Sequence, residues 1–317
     1  MLKKLLKKMP GIYAYCQHLQ RRKQIKKINS RKKLSWNDQI QLVEQTYFHR
    51  VGHTLNWDEL HTYTEKMQWA KMYDSDPRKS LLSDKYAVRD WVSEKIGEEY
   101  LIPLLGVWNS FNEIDFDSLP DQFVLKTNNG SGTNLIVKDK SKLRKRQVRQ
   151  LVKDWLDTEF AYYNPFEFQY ATIPPKIIAE KFMTVDKGDL PDYKFLCFNG
   201  EPMFCWVDMN RYSDHKRNIY DMEWNLQPWN QLNYGNYDGE IPRPECFDEM
   251  KRIATVLAEG FSHVRVDLYV INGKIYFGEM TFTNGSGYEK IVPNSADLML
   301  GNLWKIDTTQ KDNRYHL

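Results

Sequence analysis

Cysteine is scarce in this sequence of 317 residues. The four cysteines, Cys16, Cys197, Cys205 and Cys246, lack the paired spacing that metal sites use. Such sparse usage argues against a disulfide-rich secreted scaffold and fits a reducing compartment. No apolar run approaches the roughly 18 residues that a membrane-spanning helix needs, and no secretory signal pattern is evident. We therefore expect a cytoplasmic protein.

Acidic residues are missing from positions 1–33, which hold twelve Lys or Arg. The other 284 residues carry 33 basic and 42 acidic side chains, so a basic arm precedes an acidic body. Leu2, Leu5, Leu6 and Met9 recur at helical spacing among lysines, which is typical of helices at a membrane interface. A solvated tail and a nucleic-acid-binding segment share this composition. We favour an anionic membrane surface as the partner, and nucleic acid is the least favoured reading.

The order of secondary structure changes along the chain. Residues 34–108 show mainly helical patterns, with Ser35 and Ser83 as expected N-caps. After Pro103 strand patterns predominate, and one further helix is predicted near residues 142–157. The composition, 41% hydrophobic and 27% charged, is that of an ordinary globular protein.

The stretch DYKFLCFNGEPMFCWVD predicts a β-hairpin about an Asn199–Gly200 turn. With this turn at the centre, Lys194 opposes Cys205 and Cys197 faces Pro202. The register therefore disfavours a disulfide between the two cysteines.

The stretch FVLKTNNGSGTNLIVK, residues 123–138, predicts two strands joined by an unusually long polar loop. Gly130 and Gly132 permit positive φ, so that consecutive N–H groups can approach an anion. Lys126 would add a point charge. The loop lacks the Gly-Lys-Ser/Thr ending of a P-loop, and a solvated surface hairpin explains it equally well.

The stretch HVRVDLYVINGKIYFGEM predicts a second hairpin that carries charged residues. A two-residue Asn-Gly loop would pair Asp267 with Gly278. A three-residue Ile-Asn-Gly loop would pair Arg265 with Glu279, and then Arg265, Asp267, Glu279 and Thr281 share one face. Two carboxylates beside an arginine can hold a divalent cation against phosphate oxygens. An ordinary surface pair between arginine and glutamate is the alternative.

Together these segments resemble the ATP-grasp enzymes, and within them the teichuronopeptide-biosynthesis, TupA-like group. The resemblance covers most of residues 78–304, through LLSDKYAVRDWV, FVLKTNNGSGTNLIVKD, IIAEKFM, DYKFLCFNGEP, RVDLYVINGKIYFGEMTF and LGNLWKI. It implies an α+β fold in which two α+β subdomains clamp ATP, with a reduced, mainly helical N-terminal region. The implied parts are the basic arm (1–33), the helical region (34–119), a small subdomain with a glycine-rich flap (120–184) and a C-terminal subdomain with the metal and acceptor site (185–317).

The resemblance assigns a role to sixteen residues. Those implied to bind the nucleotide are Lys85, Lys126, Gly130, Ser131, Gly132, Thr133, Glu180, Lys181, Phe182, Met183, Asp192 and Lys194. Among them Glu180 matches the residue that meets the adenine amino group, and Asp192 the residue that meets the ribose.

The implied catalytic residues are Arg265, which steadies the transferred phosphoryl group, and Lys126. Asp267 and Glu279 match the magnesium ligands. Thr281 stands where the family usually has an asparagine as third ligand, which puts a second magnesium ion in doubt.

The resemblance implies an ADP-forming carboxylate–amine ligase that uses ATP and Mg²⁺. Its expected substrates are a uronic acid of a surface polysaccharide, of capsule, teichuronopeptide or O-antigen type, and an amino acid or amino sugar. The uronic acid could be free or carried on a lipid, which would place the enzyme at the inner face of the cell membrane. The alternatives are a glycosyltransferase of polysaccharide biosynthesis and an ATP-grasp kinase that phosphorylates a sugar hydroxyl.

Overall fold

The computed structural model describes residues 10–184, 191–210, 214–311 and 314–315, with the backbone alone for residues 10–19 and 21. The α-helices in chain order are α1 (Pro10–Lys32), α2 (Trp36–Val51), α3 (Tyr63–Tyr73), α4 (Pro77–Ser83), α5 (Val88–Ile96), α6 (Lys145–Leu156), α7 (Phe247–Ala258) and α8 (Asn294–Leu303). The strands are β1 (Leu104–Trp108), β2 (Phe123–Thr127), β3 (Asn134–Val137), β4 (Ile177–Lys181), β5 (Asp192–Phe198), β6 (Glu201–Met209), β7 (Lys216–Asp221), β8 (Asn230–Gln231), β9 (His263–Ile271), β10 (Lys274–Thr281) and β11 (Ile291–Val292).

Two antiparallel sheets organise the molecule. The small sheet has the strand order β1-β4-β2-β3, and the large sheet has the order β10-β9-β5-β6-β7. Strand β1 belongs to the small sheet, although the small subdomain was predicted to begin only at residue 120. The other domain limits stay a prediction. Antiparallel sheets with helices segregated to their faces are the α+β organisation that was expected.

Helix α6 covers one face of the small sheet. Its apolar residues Val148, Val152 and Trp155 follow helical spacing and are buried against strand residues that include Phe123 and Leu125. Because side chains alternate along a strand, Val124, which lies between Phe123 and Leu125, points to the opposite face. That opposite face is the one that lines the cavity described below.

The large sheet is apolar on both faces over most of its length. Helix α7 packs on one face, where Phe247 stacks on Phe195. On the other face aromatic residues join the sheet to the N-terminal helices, and Tyr63 Oη lies 3.0 Å from His263 Nε2. Toward the end of β9 and the start of β5 this face turns polar, and the charged residues of the candidate site lie there.

The helical N-terminal region confirms one predicted cap and corrects another. Ser35 caps α2, where its hydroxyl accepts from Asp38 N. Ser83 was expected to begin a helix but is the last residue of α4. Helix α4 begins after an Asp76 cap with Pro77 at its first turn, so the chain must reverse before α5, and Asp84 makes that turn.

The β5–β6 hairpin follows the predicted turn, but its register changes partway. Cys197 faces Pro202 as expected, and Cys197 and Cys205 are free thiols. The register shifts beyond this pair, so Lys194 faces Trp206 instead of Cys205. The extra residue of this β-bulge lies on β6, and the alternation of apolar residues gave no sign of it.

The end of the basic arm packs on the body. Ile28 is buried, and Arg31 Nη1 donates to the carbonyl oxygen of Tyr162 at 2.9 Å and to that of Tyr163. Lys32 Nζ lies 2.8 Å from Glu159 Oε2. Leu2 to Met9 lie outside the described residues. Across the described part of the chain, no helix has both the length and the apolar character that crossing a bilayer requires.

Candidate active site

A cavity of about 690 Å³ lies between the two sheets. Fourteen of the sixteen predicted site residues line it, namely Lys85, Lys126, Gly130, Ser131, Gly132, Thr133, Glu180, Lys181, Phe182, Met183, Asp192, Lys194, Asp267 and Glu279. The other two, Arg265 and Thr281, contact Glu279 directly. The fold therefore brings together residues that are up to 196 positions apart in the chain.

Arg265 is the centre of the charged end of the large sheet. Its Nε donates to Asp267 Oδ1 at 2.6 Å, and its Nη2 lies 2.7 Å from Asp267 Oδ2 and 3.1 Å from Glu279 Oε1. Nη2 also lies 3.0 Å from Thr281 Oγ1, and Nη1 donates to Asn284 Oδ1. The two carboxylates thus converge on one guanidinium nitrogen.

The register of the β9–β10 hairpin corrects the prediction about its loop. The turn has two central residues, Asn272 and Gly273, both at positive φ, and Ile271 pairs with Lys274. The alternative with a three-residue loop, in which Arg265 pairs directly with Glu279, is therefore wrong.

A β-bulge restores the arrangement that the loop had been expected to give. The register shifts between Phe277 and Glu279, so that Gly278 is the extra residue and Glu279 pairs with Asp267. Thr281 pairs with Arg265, and the charged residues share one face as expected. A Cβ on Gly278 would lie 3.0 Å from the Asp267 carbonyl oxygen, which explains a glycine here.

Nearby cations keep Glu279 ionised. Burial would raise the pKa of this carboxyl, but Lys85, Arg265 and Lys194 together lower it to about 2. Burial raises the pKa of Asp267, an effect that Arg265 and Lys194 oppose. Burial lowers the pKa of the Lys85 ammonium. The site therefore offers one strongly anionic carboxylate at the edge of a buried charge network.

Lys194 ties three strands of the large sheet together. Its Nζ lies 2.5 Å from Asp192 Oδ2, 2.7 Å from Asp267 Oδ2 and 3.9 Å from Asp208 Oδ2. Asp208 in turn makes a bidentate pair with Arg217. The charge network therefore continues across the sheet, from β10 to β7.

The predicted phosphate-binding lysines enter the cavity from two different segments. Lys126 Nζ, on β2, lies 2.6 Å from Glu180 Oε2. Lys85 Nζ donates to the carbonyl oxygen of Gly130 at 2.6 Å and lies 3.7 Å from Glu279 Oε2. Lys85 therefore stands between the flap and the carboxylates.

The two flap glycines serve different purposes. Gly132 adopts positive φ and lies in open space, as a mobile anion-binding turn requires. Gly130 does not adopt positive φ; a Cβ there would lie 2.5 Å from the ring of Phe160. Its lack of a side chain therefore permits close packing, which corrects the reason given for this glycine.

Asn128 joins the flap to the segments on either side of it. Its Nδ2 donates to Asp84 Oδ2 at 2.9 Å and to the Pro174 carbonyl oxygen at 3.1 Å. Its Oδ1 accepts from Lys176 N, and its carbonyl oxygen accepts from Lys85 N. This buried residue therefore fixes the backbone of Lys85 against the root of the flap.

The sequence reasoning missed the cavity walls and one cation. Besides the predicted Phe182 and Met183, the apolar lining consists of Leu101 and Ile102, which precede β1, and of five strand residues, namely Val124, Ile136, Tyr269, Ile271 and Phe277. The apolar residues on strands show the same alternation along the chain as ordinary core residues, so the sequence does not distinguish them. Arg89 Nη1 lies 3.7 Å from Glu180 Oε1, and a charged residue on an amphipathic helix reads as solvated. Both residues of this pair occur in segments that carry the family resemblance, Glu180 in IIAEKFM and Arg89 in LLSDKYAVRDWV. Their presence in these segments was the signal that could have identified Arg89.

The donors for a metal ion are two carboxylates. No cluster of three or more His, Cys, Asp or Glu suited to a metal ion occurs in the part of the chain that the structure describes. Asp267 and Glu279 nevertheless provide hard oxygen donors on rigid strands. This set fits Mg²⁺, which is usually bound by one or two carboxylates and takes its other ligands from phosphates and water.

A model of the TupA-like ATP-grasp proteins matches residues 65–305, which include every residue of the candidate site. The chain belongs to the TupA-like ATP-grasp family. The predicted family is confirmed, and with it the α+β ATP-grasp fold behind a helical N-terminal region. A search of the curated proteins finds no match.

Several solved structures are similar to this TupA-like protein. D-alanine–D-alanine ligase from Bacillus anthracis complexed with ATP is 16% identical, with a TM-score of 0.40, and the match covers 74% of this chain and 63% of that one. The L-amino acid ligase from Bacillus licheniformis is 13% identical, with a TM-score of 0.41 and coverages of 73% and 50%. The ATP-grasp ligase PsnB complexed with minimal precursor, Mg and ADP is 14% identical, with a TM-score of 0.36 and coverages of 66% and 53%. The chain thus spans less than two thirds of each of these proteins.

Proposed function

We propose that this protein is an ADP-forming carboxylate–amine ligase that uses ATP and Mg²⁺. One observation carries the proposal. Two lysines, a glycine-rich flap and an arginine that holds two carboxylates converge on one cavity between two sheets. Membership of an ATP-grasp family supports it further.

The nucleotide would occupy the cavity with its base between the apolar walls. Glu180 and the backbone of Lys181 to Met183 would meet the adenine edge, and Asp192 would meet the ribose. Lys85 and Lys126 would bind phosphate oxygens, with the flap residues Gly130–Thr133 closing over them. Since Lys126 contacts Glu180 and Lys85 contacts Gly130, each ammonium is already held beside the cavity.

The proposed reaction has two steps. An oxygen of the substrate carboxylate attacks the γ-phosphorus, and ADP leaves with the electrons of the broken P–O bond. The amine nitrogen of the second substrate then attacks the acyl carbon, loses a proton and expels phosphate, so that an amide forms. Arg265 would offset charge on the transferred phosphoryl group, and a closed flap would keep water from the acyl phosphate.

Asp267 and Glu279 are the residues that would hold Mg²⁺, with Thr281 beside them. Bound there, the ion would supply positive charge against the phosphate oxygens. The protein's own part is to keep Glu279 ionised and to hold both carboxylates in place. Arg265 and Lys194 do the latter through the contacts described above.

We further propose that the carboxylate belongs to a uronic acid of a surface polysaccharide and the amine to an amino acid or amino sugar. The resemblance to the polysaccharide-linked group supports this assignment. The basic arm would attach the enzyme to the inner face of the cell membrane, where such a sugar can be carried on a lipid. Twelve cations without an acid in residues 1–33 support that location.

The test is to incubate the full-length protein with ATP, Mg²⁺ and mixed uronic acids and amines, and to identify the products by mass. An amide formed together with ADP supports the ligase. A stable phosphate ester would indicate a kinase, and sugar transfer without use of ATP would indicate a glycosyltransferase. A Glu279→Gln variant is the control for contaminating activities, because its product formation should be at least about a hundredfold slower.

A further inference from the structure

A second basic segment lies outside the arm. Residues 138–153 hold eight Lys or Arg and a single acid, Asp139. Together with residues 1–33 they contain 20 of the 45 Lys and Arg residues and one of the 42 acids. The remaining 268 residues carry 25 basic and 41 acidic side chains. The positive charge is therefore concentrated in two segments that are far apart in the sequence.

Helix α6 presents its cations outward. Val148, Val152 and Trp155 are buried on the sheet side of this helix. The exposed cations of residues 142–153 are Lys142, Arg144, Lys145, Arg146, Arg149 and Lys153. Within the described ranges of the chain, Arg144, Lys145, Arg146 and Arg149 form no ion pair with a carboxylate, whereas Lys142 and Lys153 each have one within 2.6 Å.

The fold places α1 beside the end of α6. A cleft of about 350 Å³ is lined by Gln20, Gln24 and Ile25 of α1 and by Asp154 and Trp155 of α6. Lys32 pairs with Glu159, just beyond α6, as noted above. The exposed cations of α1 are Arg22, Lys23, Lys26, Lys27 and Lys32. Helix α1 therefore lies beside the C-terminal end of α6, so both basic segments border the small subdomain.

The cations of α1 repel one another. The pKa of Lys27 is lowered first by the charge of Arg31, then by burial and then by the charge of Arg50. Uncompensated positive charge of this kind costs free energy until an anionic partner approaches. A partner that contacts several cations at once would therefore be attracted to this side of the molecule.

We propose that the exposed cations of α1 and of residues 142–153 form one basic surface that docks on an anionic lipid bilayer. This inference rests on the membrane attachment in the proposed function and adds a second element to it. A bilayer can contact two separate helices on the outside of a protein at once. A single-stranded nucleic acid stacks successive bases on several exposed aromatic rings. In the cleft Tyr163 is 40% exposed, but Trp155, the aromatic residue of α6, is buried, so the surface favours a bilayer.

The docked orientation has a consequence for the site. Helix α6 covers one face of the small sheet, and the opposite face lines the cavity. A bilayer bound to the basic surface would therefore hold the small subdomain in place. The cavity would open on the side away from α6.

The test compares two triple variants of the full-length protein that change the net charge equally. One variant, Lys142→Gln, Arg144→Gln and Arg146→Gln, alters the basic surface. The matched control, Arg252→Gln, Lys274→Gln and Lys305→Gln, alters exposed cations of the C-terminal subdomain. Binding is measured by co-sedimentation with phosphatidylcholine vesicles, with and without roughly one third phosphatidylserine, at low and high salt.

We expect the control to bind anionic vesicles like the unaltered protein and the variant of the basic surface to bind at least about tenfold more weakly. Binding should fall with salt and be absent on neutral vesicles. Equal binding by the two variants would overturn the proposal, as would tighter binding to a fluorescent single-stranded oligonucleotide than to anionic vesicles. ADP formation without vesicles is measured in parallel. If every form binds lipid as expected but makes no ADP, the proposed ligase function is rejected and the basic surface is supported. If ADP forms but the two variants bind lipid equally, the basic surface alone is rejected.

Discussion

Glu279 pairs with Asp267 across the β9–β10 hairpin, and both carboxylates contact the same Nη2 atom of Arg265. The bulge at Gly278 creates this pairing, because the Asn272–Gly273 turn alone would leave Gly278 opposite Asp267. Two carboxylates and a cation are thus fixed on rigid strands at the edge of the cavity.

The first prediction concerns Glu279. The change Glu279→Gln removes the charge that would hold Mg²⁺ but keeps the shape of the side chain, which is 37% exposed. We expect turnover to fall by at least about a hundredfold, the scale of losing one electrostatic contact to a transition state. The loss of stability should be smaller than the loss of catalysis when both are expressed as free energies, because the glutamine keeps an oxygen that can accept from Arg265. Glu245→Gln, at an exposed position of the same subdomain, is the control; unchanged turnover in Glu279→Gln would refute the role.

The second prediction concerns the two lysines of the cavity. Lys85→Ala and Lys126→Ala each remove a positive charge from the phosphate region while Arg89 remains beside Glu180. We expect each change to weaken binding of a non-hydrolysable ATP analogue by about tenfold or more, measured by calorimetry. Lys142→Ala, whose side chain is 82% exposed, should bind like the unaltered protein. Unaltered affinity in both cavity variants would remove the phosphate site.

The third prediction is a pH dependence of stability that arises from His263. Burial lowers the pKa of this imidazole from 6.5 to about 3. The unfolded chain takes up a proton below pH 6.5, but the folded chain does not until about pH 3, so stability is full above 6.5 and is lost as pH falls. The loss reaches at most about 1.4 kcal/mol per pH unit.

Denaturant unfolding between about pH 7 and about pH 5 checks this prediction, because most carboxyl groups titrate below that range. The variant His263→Gln should show a flatter dependence than the unaltered protein, even if it is less stable overall. Parallel curves for the two proteins would mean that other groups cause the slope.

The fourth prediction concerns the end of the basic arm. Arg31→Gln removes two charge-assisted hydrogen bonds to the Tyr162 and Tyr163 carbonyl groups. We expect a loss of about 1–3 kcal/mol in the free energy of unfolding. The exposed neighbour Lys26 provides the control Lys26→Gln, which should change stability by less than about 0.5 kcal/mol. Equal stability of the two variants would show that the contacts of Arg31 in α1 do not stabilise the fold.

The sequence predicted the parts of the site that depend on chemistry. Charged residues are unusual in short apolar strands, and this identified Lys126, Asp267 and Glu279. The flap was identified because its two glycines lie in an unusually long loop between two strands. Register was harder, since a bulge adds one residue without changing the apolar alternation around it. For this reason the Lys194–Cys205 pairing was wrong, and the shared face of Asp267 and Glu279 was reached through the wrong loop.

Other features required the three-dimensional structure. Tyr269 and Phe277 line the cavity, although their alternation on strands is that of any core residue. Asn128 bridges three segments, and nothing near it in sequence indicates those partners. Likewise, the packing of Gly130 on Phe160 depends on a tertiary contact that no local pattern encodes.

One measurement tests the central claim most directly. A uronic acid labelled with ¹⁸O in its carboxylate is incubated with the enzyme, ATP, Mg²⁺ and an amine, and the released phosphate is analysed by mass. The account predicts one ¹⁸O atom in each phosphate released with the amide, because a carboxylate oxygen becomes the bridge of the acyl phosphate and leaves with the phosphate. Amide formation with unlabelled phosphate would contradict it. So would ADP formation that yields a phosphorylated uronic acid with both ¹⁸O atoms still in its carboxylate.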